Sequence, residues 1–374
     1  MTLARCRRSC HFASSRNSGI DRREPLPYFP ILKENENITA MKPSPKSPLR
    51  LLTSLVAGAA LVGTALLAQQ EKKAEPQTWE EKKAEKFKGP NDEQKKLIAE
   101  AVPSKATAKP AKARKILAMY RCEGFIHTSI PFGNEALSQM AEKTGAYSID
   151  LVDTYDVFTA ENLAKYDVLL FNNTTHLKPD AAQQKAILDF VNGGGGIVGI
   201  HAAADNFGGW DEGVAMIGGI FNGHPWGAGG KWAFKNEDPK HPLNAAFGGK
   251  GFWHTDEIYW YKPESFQGRE RLRVLLSLDM SKEANRKPLD NEKTKAQLTT
   301  SPEKVDVAVS WCRKIGEGRL FFTNLGHRDD TFWNPAVMQH LLDGIQFALG
   351  DLEADTTPSA EAHLGEPVLA PAEG

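Results

Sequence analysis

Cysteine is scarce in this chain, with four in 374 residues: Cys6, Cys10, Cys122 and Cys312. The first two stand in an N-terminal stretch that reads as a leader, so no disulfide framework organises the fold. Cys122 and Cys312 are left either to bridge one another or to stay as two buried thiols, and spacing alone does not bring their Cα atoms together. An excess of charge of either sign is lacking too. The formal net charge is -1, and no Lys/Arg block interleaves with aromatics, which argues against a nucleic-acid partner. No Gly-Lys-Ser/Thr follows the glycines Gly193 to Gly196, so a phosphate-cradling loop is excluded as well.

Hydrophobic residues at 41% and charged residues at 25% are ordinary for a soluble globular protein, and the length gives room for one or two domains. Long apolar runs are limited to one. It spans Leu51 to Leu67, preceded by Lys42, Lys46 and Arg50, and it ends through Thr64-Ala65-Leu66-Leu67-Ala68 into Gln69-Gln70-Glu71. A basic region, an apolar region and small residues in that order make a secretory signal peptide starting at Met41. At about 17 residues the run sits at the short edge for a membrane span, and a retained anchor is the competing reading. The expectation is a periplasmic or secreted protein with no stable membrane insertion after cleavage. Residues 1–40 then read as a mis-assigned upstream start and 41–68 as the signal peptide. The Lys/Glu/Ala/Pro-rich stretch 69–113 reads as a disordered linker with room for one short helix, and 351–374 as a disordered tail. One folded domain over 114–350 remains.

Within it, Lys115–Tyr120 reads as a buried strand, and Tyr147–Val152, Asp167–Asn172 and Ile197–Ile200 as further strands. Helical spacing fills Asn134–Thr144, ended by Gly145, and the stretch from Pro179 to Asn192. This alternation predicts an α/β fold with a parallel core sheet covered on both faces. Later strands follow at Lys231–Asn236, Glu257–Tyr261 and Arg273–Leu278. A hairpin turns at 314–318 between Val305–Arg313 and Arg319–Asn324, and a closing helix runs over Asn334–Leu349. These are added antiparallel strands beside the parallel core.

Ligands on such sheets bind at the carboxyl ends of the strands, which directs attention to the polar residues there. The segment Gly196-Ile197-Val198-Gly199-Ile200-His201 ends a strand at a sharp turn, the geometry that presents a nucleophile above the sheet in hydrolases and amidotransferases. Here it presents His201, with Asp205 four residues on. Imidazole serves as general base, transient nucleophile or metal ligand, but not as the thiolate of glutamine hydrolysis. His127 after the first strand joins His201 and Asp205 as candidate catalytic groups. Glu123, His176, His224, Trp226 and Tyr259 are candidate substrate contacts, the aromatics because indole and phenol rings pack on apolar sugar faces. A histidine with a carboxylate suits zinc or manganese, which makes His201, His254, Glu257 and His327 the candidate ligands of a divalent metal.

Together, the string Lys115 to Ile130 with Gly124-Phe125-Ile126-His127, the glycine-rich strand into His201 with Asp205, the loop Gly219 to Pro225, Asp256-Glu257-x-Tyr259 and Gly326-His327 resemble the ThuA-like (trehalose utilisation) family. Ile126 stands where many members carry arginine. The resemblance implies a class I glutamine-amidotransferase-like, flavodoxin-like three-layer sandwich. It also implies a place in the use of trehalose or related disaccharides, beside a sugar oxidoreductase, with a bound metal in some members. The expected ligand is a small carbohydrate and the expected chemistry metal-assisted acid/base work on a disaccharide or its keto-sugar derivative. A non-catalytic carbohydrate-binding or accessory module is the alternative.

Overall fold

Strand alternation decides how this sheet is covered. The computed structural model describes residues 77–372, so the expected signal peptide at 41–68 and the upstream stretch 1–40 lie outside the described residues. The strands are β1 (Lys115–Met119), β2 (Ser148–Val152), β3 (Val168–Asn172), β4 (Gly196–Ile200), β5 (Phe221–Trp226), β6 (Lys231–Asn236), β7 (Phe252–Thr255), β8 (Ile258–Tyr261), β9 (Arg273–Leu278), β10 (Ala308–Ile315) and β11 (Gly318–Thr323). Ile116, Ala118, Val168, Leu170, Val198, Ile200 and Phe321 point to one face. There they meet Leu137 and Met140 of the helix Ile130–Thr144, and Leu341, Leu342 and Ile345 of the helix Pro335–Ala348. Leu117, Met119, Leu169, Phe171, Ile197, Leu320 and Phe322 point to the other, against Ile187 and Val191 of the helix Ala181–Asn192 and Met216 and Ile217 of the helix Asp211–Ile217. Residues with a period of two thus feed two cores, which is why β3 and β4 read as unbroken apolar runs.

Nine strands form the main sheet in the order β2-β1-β3-β4-β11-β10-β9-β6-β7, and β5 pairs with β8 in a separate ribbon. Pairing is parallel from β2 through β11 and antiparallel from β11 to β7. The parallel half follows the flavodoxin-like order, with β11 as its last member. The expected α/β sandwich with added antiparallel strands is the observed one. Two strands escaped the sequence reading. β5 carries Pro225, which belongs at an edge or a bulge, and Gly223, which weakens a strand, and its register against β8 shifts twice. β7 is four residues long and lies at the sheet edge.

The expected disordered linker is corrected over its described part. Helices span Trp79–Lys86 and Asp92–Ala101, each opened by a capping box, Thr78 with Glu81 and Asn91 with Gln94. Trp79 is buried and donates from Nε1 to Asp153 Oδ2 at 2.9 Å, while Ile98 enters the core. The tail is corrected likewise. Val368 bridges to Asn236 of β6, and Ala370 is buried with its N–H on Asp279 Oδ2 at 3.0 Å. Composition misses both because a few anchors and main-chain hydrogen bonds, rather than average hydrophobicity, hold them. Cys122 and Cys312 are free and buried. Among the described residues no helix is long and apolar enough to cross a membrane.

The N-terminal segment is also pinned through Asp343. Its Oδ1 accepts from Thr107 Oγ1 at 2.5 Å and Gln339 Nε2 at 2.8 Å, and its buried Oδ2 has no partner. Burial outweighs these hydrogen bonds and pushes its pKa up to about 6. The folded value lies above the unfolded one, so between them the folded chain binds more protons and stability falls as pH rises from about 4 to about 6. Asp343→Asn is therefore expected to melt higher than the parent at about pH 7.5, by on the order of 1–2 kcal/mol, and close to it near pH 4. Thermal melts at both pH values check this, and an equal offset at both would sink it.

Candidate metal centre

Three histidines leave the carboxyl ends of parallel strands: His127 after β1, His201 at the end of β4 and His327 after β11. Glu257 comes down on them from the turn between β7 and β8. Each of the four offers a ligand atom, and these atoms lie within 4.8 Å of one another. The imidazole rings stand 4.9–5.2 Å apart, centroid to centroid, close to perpendicular. His127 Nδ1, His201 Nε2 and His327 Nδ1 are buried without a hydrogen-bond partner. Glu257 Oε2 is 3.1 Å from His327 Nδ1 and 3.6 Å from His201 Nε2, close but not aligned for hydrogen bonding.

The backbone is arranged for this convergence. His201 sits in the left-handed region at φ 45°, the strained turn that lifts a side chain off the strand end. Its Nδ1 lies 2.7 Å from Asn324 O, a carbonyl that only accepts, so Nδ1 is the donor there and Nε2 is the nitrogen turned to the site. Gly326 at φ 138° precedes His327, and a Cβ there would lie 2.8 Å from Ile200 Cγ2. Asp256, fully buried, ties two ligand loops together. It accepts from Glu257 N at 2.9 Å, Gly326 N at 2.8 Å, Arg328 N at 3.1 Å and Thr331 Oγ1 at 2.9 Å.

Electrostatics match the geometry. Burial, with His201 and His327 beside it, holds His127 well below the usual histidine value, so it is neutral near pH 7. Burial acts on Glu257 in the opposite sense, but His201 and His327 hold its carboxyl well below the usual range. Burial opposes charge on His327 as well, yet Glu257 raises its pKa. The result is one carboxylate facing three imidazole nitrogens in a water-poor site.

His201, Glu257 and His327 of the expected metal set are brought together, and His254 is not. His254 lies inside β7 opposite Trp232, with Nε2 3.2 Å from Thr331 Oγ1 and Nδ1 3.5 Å from Asn334. Glu257 lies past the strand end, so the two diverge, and His127 takes the fourth place. His224, half-exposed, approaches the other carboxylate oxygen of Glu257 at 3.3 Å. Tyr259 is buried with its ring 4.3 Å from that of His201. Asp205 pairs instead with the exposed His176, Nε2 to Oδ2 3.2 Å. Glu123 is on the surface, bound to Arg121 at 2.6 Å. Trp226 is corrected from sugar contact to core: it is fully buried, stacked on Trp260 and donating to Asn285 O at 2.8 Å. The sequence reading passed over Asn324, whose side chain also accepts from Tyr259 N and donates to Tyr261 OH. It also passed over Phe125, 65% exposed and edge-on to His127 at 4.8 Å. An asparagine ending an apolar strand was the available signal for the first.

Residues 115–348 match the model of a protein family described as ThuA, trehalose utilisation. Among solved structures, a ThuA-like protein from Bacteroides uniformis superposes with TM-score 0.51 at 20% identity, covering 68% of this chain and 99% of that one. A ThuA-like protein from Parabacteroides merdae follows with TM-score 0.47, 18% identity and coverage of 66% and 93%. Among curated proteins nothing matches the chain.

Proposed function

The chain belongs to the ThuA family, and on that premise we propose that it is an exported, metal-dependent enzyme acting on trehalose-type disaccharides or their keto-sugar derivatives. The observation that carries this is the convergence of three buried, partnerless imidazole nitrogens on the Glu257 carboxylate. Leaving such nitrogens unpaired costs about 1–3 kcal/mol each, a cost that a divalent ion removes. Around an ion bound at about 2.1 Å, neighbouring ligand atoms stand about 3–4 Å apart, so the four groups need to draw in only slightly. Three nitrogens and one oxygen suit zinc or manganese.

When bound, such an ion polarises a carbonyl or hydroxyl of the sugar and lowers the barrier to enolisation, isomerisation or cleavage. The chain's own groups do the rest. His201 is held in one tautomer by Asn324 O, and Asp256 fixes the positions of Glu257 and His327. His224, near Glu257 and open to solvent, is placed to accept or return a substrate proton. The His176–Asp205 pair offers a second proton relay. A keto-sugar substrate fits supply by a sugar oxidoreductase acting first. Glutamine amidotransfer does not fit, because His201 occupies the elbow and burial pushes the Cys122 thiol up to about 11. The segment from Met41 to Ala68 supports export.

Metal analysis of protein purified without added metal is the test, followed by turnover of 3-keto-disaccharides before and after chelation. The expected result is about one ion per chain and turnover lost on chelation. Metal-free protein whose sugar binding is indifferent to chelation would instead make it a binding module.

A further inference from the structure

His327 is used by the ligand cluster on one side, but it also walls a cleft of about 410 Å3 lined by Thr128, Arg328, Asp329, Asp330 and Trp333. The shared histidine places the cleft directly beside the ligand cluster. The volume falls within the range of small-molecule pockets, about 300–1,000 Å3.

Its chemistry narrows the occupant. Arg328 is forked onto Asp330, with Nε to Oδ1 and Nη2 to Oδ2 both 2.7 Å, and its Nη1 donates to Ala228 O at 3.2 Å. That guanidinium is already neutralised, so no free cation greets a phosphate or carboxylate. Asp329 has a single side-chain partner, the exposed Thr128 hydroxyl at 3.3 Å. An anionic ligand would meet the Asp329 carboxylate, whereas sugar hydroxyls donate well to it. Trp333, half-buried with its ring 6.0 Å from that of Phe132, contributes indole surface to the wall. A carboxylate acceptor, a fixed donor–acceptor pair and an indole together fit a neutral pyranose, whose hydroxyl rim is polar and whose C–H face is apolar.

We infer that this cleft is a second pyranose subsite. With one ring of the substrate at the His127–His201–Glu257–His327 cluster, the next ring lies against Trp333 and donates hydroxyl hydrogens to Asp329. The inference rests on the proposed function and adds what the site selects, a two-ring over a one-ring substrate.

Calorimetric titration of the metal-loaded full chain with trehalose, glucose and glucose 6-phosphate tests it, on the parent, Asp329→Asn and Trp333→Phe. Trehalose is expected to bind at least about tenfold tighter than glucose. Asp329→Asn should remove most of that ratio, about tenfold, with glucose affinity and metal content unchanged. Trp333→Phe should shrink the ratio less, since a smaller aromatic face remains. Equal affinity for trehalose and glucose, an unchanged ratio in Asp329→Asn, or preference for glucose 6-phosphate each overturns the subsite. Metal content separates the two levels of argument. Metal-loaded protein that treats one ring and two alike overturns the subsite alone, while protein without metal overturns the reading beneath it.

Discussion

Replacing His201 with alanine is expected to drop bound metal from about one ion per chain to below about a tenth, and turnover at least about a hundredfold. Losing a group that merely supports a metal ligand already costs about 10–100-fold, and loss of a ligand costs more. The substitution also leaves Asn324 O without its donor and opens a void behind Tyr259. A stability loss of about 2–4 kcal/mol accompanies those changes. The backbone supplies an internal control, because φ at this position is 45° in the folded chain. His201→Gly relieves that strain while removing the same imidazole, so it should be the more stable of the two by about 1 kcal/mol and equally poor in metal. Metal content by elemental analysis, with melts of both variants, decides the matter. A folded His201→Gly protein that keeps its full metal would remove His201 from the centre.

Asp256→Asn is expected to be the most damaging isosteric change near the site, costing about 3–5 kcal/mol in stability and weakening metal binding about 10–100-fold. Four donors converge on the two oxygens of Asp256. An amide NH2 in place of either oxygen sets donor against donor at a fully buried position. Because those donors belong to the Glu257 turn and the Gly326–Thr331 loop, two metal ligands lose their fixed positions at once. Thr331→Val removes one donor and leaves the carboxylate, so it should cost only about 1–2 kcal/mol. Denaturant unfolding of both variants, with a metal titration, checks the order. If Asp256→Asn melts within a few tenths of a kcal/mol of the parent, the clamp is not what holds the site.

The parallel half of the fold was readable because β1, β3 and β4 are buried on both faces and show unbroken apolar runs. His127, His201 and His327 were readable for a related reason, since each lies in the segment that leaves such a run and carboxyl ends of parallel strands are where side chains gather. Glu257 against His254 was not resolvable. Both belong to one short motif, and only the end of β7 at Thr255 decides which one reaches the cluster. Trp226 looked like a sugar platform because indole serves equally in a core and at a surface, and nothing local reveals Asn285 O waiting for its N–H. The segment from Thr78 to Ala101 carried its capping boxes in plain view, yet its low hydrophobicity concealed that Trp79, Ile98 and Ala101 are buried.

The strand that ends last in the chain, β11, occupies the middle of the nine-stranded sheet, between β4 and β10. A ribosome therefore finishes both flanks before it delivers the piece that joins them. Until residue 323 is available, β4 exposes an open edge, and His327 has yet to join His127 and His201. Such wiring makes assembly slow and all-or-none, and it leaves the unfinished chain sticky along that edge. It also sets an order: a product cut short before Gly318 would lack its central seam, and one cut short before His327 would lack the third imidazole of the cluster.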